Sequence, residues 1–157
     1  MSTADILTAI QDSPIAHAIS KSNHLVAAGL QVVHVLGFIA LLAALVLVSL
    51  RILKLVLNQQ PLSEVTRDAN RLFYLGLSLT VFSGVLMFVS SPKLYFYKYA
   101  FELKMLLFVA AIVIQFAVLR RVAANENPHP FAARAAVALS LTAWFGIGLA
   151  GRMIGFT

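Results

Sequence analysis

Four stretches of this chain carry almost no charge, and each is long enough to cross a bilayer. Leu25–Leu50 and Leu72–Ser91 contain no Asp, Glu, Lys or Arg. Phe101–Leu119 has only Glu102 and Lys104, both at its start, and Ala135–Phe156 has only Arg152, near its end. A membrane-spanning helix needs about 20 mostly apolar residues. The runs are continuous and do not alternate as strands or half-buried helices do. They predict an all-α integral membrane protein: one domain over residues 1–157, a bundle of four transmembrane helices with spans near 24–52, 71–91, 101–121 and 132–155, and a short interfacial segment over 1–22. With 61% of residues hydrophobic, no stretch is left for a separate soluble domain.

The net charge of +6 raises nucleic acid as a partner. The basic residues instead flank the apolar runs, where membrane proteins carry them for orientation and headgroup contact, so the expected partner is the lipid bilayer. Loops 1–2 and 3–4 hold seven basic residues (Arg51, Lys54, Arg67, Arg71, Arg120, Arg121, Arg134). The opposite side holds five (Lys21, Lys93, Lys98, Lys104, Arg152), two of them inside spans. The positive-inside rule then places both termini outside, periplasmic in a bacterial inner membrane. The chain has no cysteine, which excludes disulfides, iron–sulfur ligation and covalent c-type haem attachment. Asp5 and Asp12 precede the first apolar run with no basic n-region, so the N-terminus is expected to be retained.

Residues 4–20 place Ile6, Leu7, Ile10, Ile15 and Ile19 at helical spacing, with Pro14 as a break and Ser13 as a cap for the second half of the segment. They predict one or two short helices at the membrane surface. Asn23 is the expected cap of the first span. Arg51 and Lys54 extend that span as a basic face emerging into water, Asn58–Pro61 forms a turn, and Ser63–Arg71 is a polar helical lead into the second span. Tyr95, Phe96, Tyr97 and Tyr99 fit an aromatic belt at headgroup level. Gly76, Thr80 and Gly84, and again Thr142, Gly146 and Ala150, recur every four residues and mark close-packing faces.

Polar and ionisable residues inside spans are costly, about 2.5–3.5 kcal/mol each on insertion scales for a charge at the helix centre, and so mark sites. His34 and Lys104 are the two that stand out. The antiparallel course of the spans places His34, Lys104, Glu102 and Arg152 in the outer half of one bundle. His34 is the candidate metal or haem ligand. His24, ten residues earlier on the same helix, lies about 15 Å away along the axis, so the two cannot sandwich one iron. His24 is instead a candidate for a second metal position. Lys104 and Arg152 are candidates for binding an anionic group, or for pairing with Glu102, and Lys104 for proton handling. Gln31 and Gln115 are polar span residues able to join either network. Met87, Met105 and Met153 fall in the outer halves of their spans, where thioether with imidazole would suit Cu(I).

Val33-His34-Val35 with Gly37, and Phe101-Glu102-Leu103-Lys104 opening the third span, resemble short motifs of a superfamily of bacterial four-span membrane proteins. That superfamily includes the membrane-type, haem-dependent protoporphyrinogen oxidase, the copper-resistance D proteins and several families of unknown function. Gly84 and Phe88, with Pro92 and Tyr95 after them, are similar to one of the uncharacterised families. In the oxidase family the matching histidine binds haem b and the matching lysine is needed for activity. The resemblance implies His34 as axial haem ligand and Lys104 as the catalytic anion or proton partner; Arg152 and Gln31, as polar residues of the spans, are the further cofactor-binding candidates. The expected function is a haem-b redox protein passing electrons between a quinone or other redox partner and an acceptor. A copper-handling protein, or an accessory subunit of a homo-oligomer or larger membrane complex, are the other readings.

Overall fold

The computed structural model describes residues 2–21, 24–125 and 128–156. These fold as helices α1 (Thr3–Gln11), α2 (Pro14–Ser20), α3 (His24–Ile52), α4 (Leu62–Ser90), α5 (Pro92–Phe96), α6 (Tyr99–Ile114), a π-helical turn (Gln115–Leu119), α7 (Arg120–Ala123) and α8 (Pro130–Met153). No strand occurs among the described residues. Four helices are long and apolar enough to cross a membrane: α3, α4, the continuous α6–α7 segment and α8. The protein is a multi-pass membrane protein built as an all-α bundle.

The two short N-terminal helices form because of their caps. Ser2 and Asp5 make a reciprocal capping box on α1, and the Ser13 hydroxyl accepts from the Ala16 N–H at the start of α2, with Pro14 at the first helical position. Leu7 and Ala16 are buried, α1 packing on α5 and α4 and α2 on α4 and α3. The helices are therefore docked on the bundle, with Ile6 and Ile15 left exposed. The expected cap Asn23 lies outside the described residues.

Helices α3 and α4 form one hairpin and α6 and α8 the core of the other. The first is unusually close. A Cβ on Gly76 would sit 2.5 Å from the Gly37 carbonyl oxygen and 2.6 Å from the Leu41 nitrogen. One on Gly37 would sit 2.8 Å from Thr80 Oγ1 and 2.9 Å from the Gly76 carbonyl oxygen. Only glycine at both positions lets the two backbones touch. The Gly76–Thr80–Gly84 stripe thus faces α3, as its spacing predicts. The matching expectation for α8 needs correction: Gly146 meets Leu107 and Gly148 meets Phe38, whereas Thr142 is exposed.

Arg51 also differs from its expected exposed position. It is buried, and its Nε and Nη2 donate to the Gln60 carbonyl at 3.0 and 2.7 Å. The bidentate guanidinium fork clamps the 53–61 loop back onto the helix end. Lys54 and Leu57, at φ 59° and 53°, hold that loop in left-handed backbone.

Packing is uneven along the bundle. One end, the termini side, carries α1, α2, α5 and the end of α8; the other, the far side, carries the 53–61 loop, the end of α7 and the start of α8. Leu41, Leu45, Leu62, Phe73, Leu119 and Trp144 anchor a continuous core, most of it in the far half. Towards the termini side fewer large apolar side chains are buried. Among the described residues α6 makes no close backbone approach to α3 or α4. Side chains bridge the gap, including a Phe88–Phe101 stack at 5.4 Å. Val32, Val33, Val35 and Leu36 of α3 are exposed there.

Gly76→Val is expected to lower the melting temperature in detergent strongly, since forced overpacking costs about 1–3 kcal/mol or more. Gly29→Ala, where an added Cβ meets nothing within 4 Å, is expected to leave it unchanged or raise it slightly. Equal effects of the two would contradict the close α3–α4 contact.

Candidate functional site

In the termini half the polar contacts of the spans centre on His34. Its ring lies against α4 because position 84 is glycine: a Cβ there would come within 3.0 Å of His34 Cε1 and 3.3 Å of Nδ1. Ser83, one residue earlier and fully buried, places its Oγ 3.2 Å from His34 Nδ1. The serine has one hydrogen to give, and the Leu79 carbonyl takes it at 2.6 Å. Ser83 Oγ therefore accepts from His34 Nδ1–H. This fixes the neutral tautomer and leaves the lone pair on Nε2.

That lone pair faces Lys104. Its Nζ sits 3.4 Å from His34 Nε2, and the ammonium donates to the ring nitrogen. The lysine reaches across from α6 over Gly151 of α8, where a Cβ would lie 3.4 Å from Nζ and 3.6 Å from Cε. Each of the four spanning segments supplies one part: α3 the imidazole, α4 the hydroxyl and the flat glycine seat, α6 the cation, α8 the gap it passes through.

The charge at this site is unbalanced. An ammonium has three donors, and the one hydrogen bond of Lys104 Nζ to the described residues is that to His34. Glu102 is exposed, and among the described residues the ion pair is Arg67–Asp68, far along the chain. A half-buried cation with two donors uncommitted among the described residues has the chemistry to take an anionic group.

The remaining sequence candidates are not brought to this pair. Arg152 is exposed and lies over the Phe156 ring at 4.8 Å. One residue on from Gly151 turns a helix by about 100°, which carries Arg152 away from Lys104. Gln31 is exposed on α3, and His24 is exposed at its first residue, nearly three turns from His34. Met105 and Met153 are exposed and Met87 half-buried. Gln115 lies in the other half of the bundle, where its Oε1 accepts from Ser140 Oγ at 3.4 Å. No group of three or more His, Asp or Glu gathers among the described residues. Sequence reading missed Ser83, because a serine inside a span is ordinary. It took Gly84 for plain helix packing, where its larger effect is to seat the imidazole.

Residues 13–157 match a family described as a family of unknown function, DUF6644. The chain belongs to that family. No curated protein and no solved structure matches the chain. In this member of the family, the His34–Ser83–Lys104 constellation is the one place among the described residues where charge, a metal-ligating nitrogen and a cluster of small residues coincide inside the spans.

Lys104 is expected to react with acetic anhydride more slowly than the exposed Lys21 and Lys93 in the detergent-purified protein, and His34→Ala is expected to raise its rate relative to those two. Peptide mass spectrometry reads all three sites. Equal rates in both proteins would contradict the His34–Lys104 contact.

Proposed function

We propose that this protein binds haem b with His34 as an axial ligand and serves as a membrane redox protein. The observation that carries the proposal is the contact of His34 Nδ1 with Ser83 Oγ at 3.2 Å, from which the tautomer of His34 follows. Its Nδ1–H is anchored on Ser83 and its Nε2 lone pair is directed into the bundle, the arrangement in which imidazole ligates a metal. Three further features support the class of ligand. Lys104 supplies positive charge without a counter-ion, suited to the carboxylates of an anionic cofactor. Among the described residues α6 makes no close backbone approach to α3 or α4, which suits a flat group between them. The likeness of the His34 and Lys104 motifs to the haem-dependent oxidase and copper-resistance D superfamily points to the same two residues.

Haem, when bound, supplies one-electron iron chemistry in a site shielded by hydrocarbon. The chain's own part is to orient and to balance charge. Ser83 would hold the ring, Gly84 would give it room, His34 Nε2 would be the ligating atom, and the Lys104 ammonium would face the anionic edge of the ligand. A copper pathway has less support, because His24, Met105 and Met153 are turned out of the bundle. A bacterial inner membrane with both termini periplasmic, and a quinone or another redox partner, belong to the same proposal.

The test is the visible spectrum of the protein purified after expression with haem supplied, oxidised and dithionite-reduced. A Soret band lost in His34→Ala is the expected result, and a colourless protein would overturn it. In Lys104→Met the band is expected to persist with a reduction potential lower than that of the unaltered protein. Removing a nearby cation favours the more positive, oxidised iron.

A further inference from the structure

A second polar cluster sits in the far half of the bundle, apart from His34. A cavity of about 20 Å³ opens between α3, α4, the π-helical turn and α7, walled by Ala44, Leu45 and Val48 on one side and lined by Thr66, Asn70 and Gln115 among others. Three polar side chains around one small space inside a hydrophobic core call for an account of their hydrogen bonds.

Thr66 Oγ1 is fully shielded and has no partner among the described residues. A threonine inside a helix ordinarily returns its hydroxyl to the carbonyl four residues back, and Thr66 does not. Asn70, one turn on, is half-buried and lines the same cavity. Gln115 uses Oε1 to accept from Ser140, which leaves its amide hydrogens. A buried unpaired hydroxyl costs about 1–3 kcal/mol, whereas immobilising one water costs about 0–2 kcal/mol. The cavity exceeds the roughly 10–15 Å³ that one water requires, and a polar lining with two to four partners is the condition under which such a cavity is wet.

We infer that the far half of the bundle holds one water molecule bound by Thr66, Asn70 and Gln115, joining α4 to the start of the π-helical turn. The turn gives that water a structural task. One extra residue between Gln115 and Leu119 rotates the rest of the segment by about 100°, placing Leu119 and Ala123 in the core. A water between Gln115 and α4 ties down the residue at which this rotation begins.

Thr66→Val keeps the shape of the side chain and removes only its hydroxyl, so the sign of its effect discriminates. In the full-length protein in lipid, the infrared difference spectrum between ordinary water and water labelled with oxygen-18 is expected to contain a sharp buried-water stretch that is lost in Thr66→Val, with a melting temperature lower by about 2–4 °C. Identical infrared difference spectra in the two proteins would overturn the inference. So would an unchanged or raised melting temperature, since deleting a truly unpaired hydroxyl relieves its penalty. Gln115→Leu serves the same comparison if Thr66→Val does not yield folded protein.

Discussion

The backbones of α3 and α4 touch at Gly37 and Gly76, and the site depends on that contact. It fixes the axial register of the first hairpin to within a fraction of a turn. With Gly37 against Gly76 and Thr80, the next turn of α3 sets His34 opposite Ser83 and Gly84. Thr80 reinforces the register, its Oγ1 lying 3.5 Å from the His34 carbonyl. A slip by one residue would turn each side chain by about 100° and withdraw the hydroxyl that holds the imidazole.

The uneven packing of the bundle divides labour between its two halves. The middle and the far half of the bundle are closed by large apolar residues, with Trp144 at mid-bundle edge-on to Phe73 and Phe108 at 5.8 and 6.1 Å. Interiors packed this way resist deformation, so the far half acts as the rigid base. In the termini half the helices are held together across the gap by a lysine, a histidine and stacked phenylalanines. Such contacts separate at lower cost than a close-packed core does, which is what a site needs if a ligand is to enter between two hairpins. Lys98 closes the termini end of the second hairpin, donating to the Ile154 carbonyl at 2.9 Å.

Much of this was legible in the sequence. The four uncharged runs specify the bundle, because length and the absence of charge suffice to define a span. His34 and Lys104 stood out because ionisable groups in hydrocarbon are costly, and the antiparallel course of the spans put them at one level. Angle around each helix was not legible. Arg152 and Gln31 were placed by depth alone, and depth does not tell which way a side chain faces. Arg51 looked like a solvated basic end, and nothing in its neighbours announced the Gln60 carbonyl as its partner. The π-helical turn has no residue signature in Gln115–Leu119, so the rotation it imposes on the end of the third span was invisible.

One proton decides the chemistry of the site: the hydrogen on His34 Nδ1, held by Ser83. Nitrogen-15 NMR of the protein labelled at histidine, prepared without added haem, reads its position directly. The exposed His17, His24 and His129 serve as internal references. The expected result is a neutral ring with a protonated Nδ1 and a pyridine-like Nε2, converted to a mixture of tautomers in Ser83→Ala. A proton resident on Nε2, or a doubly protonated ring at neutral pH, would contradict it, because no lone pair would then face Lys104 or any metal.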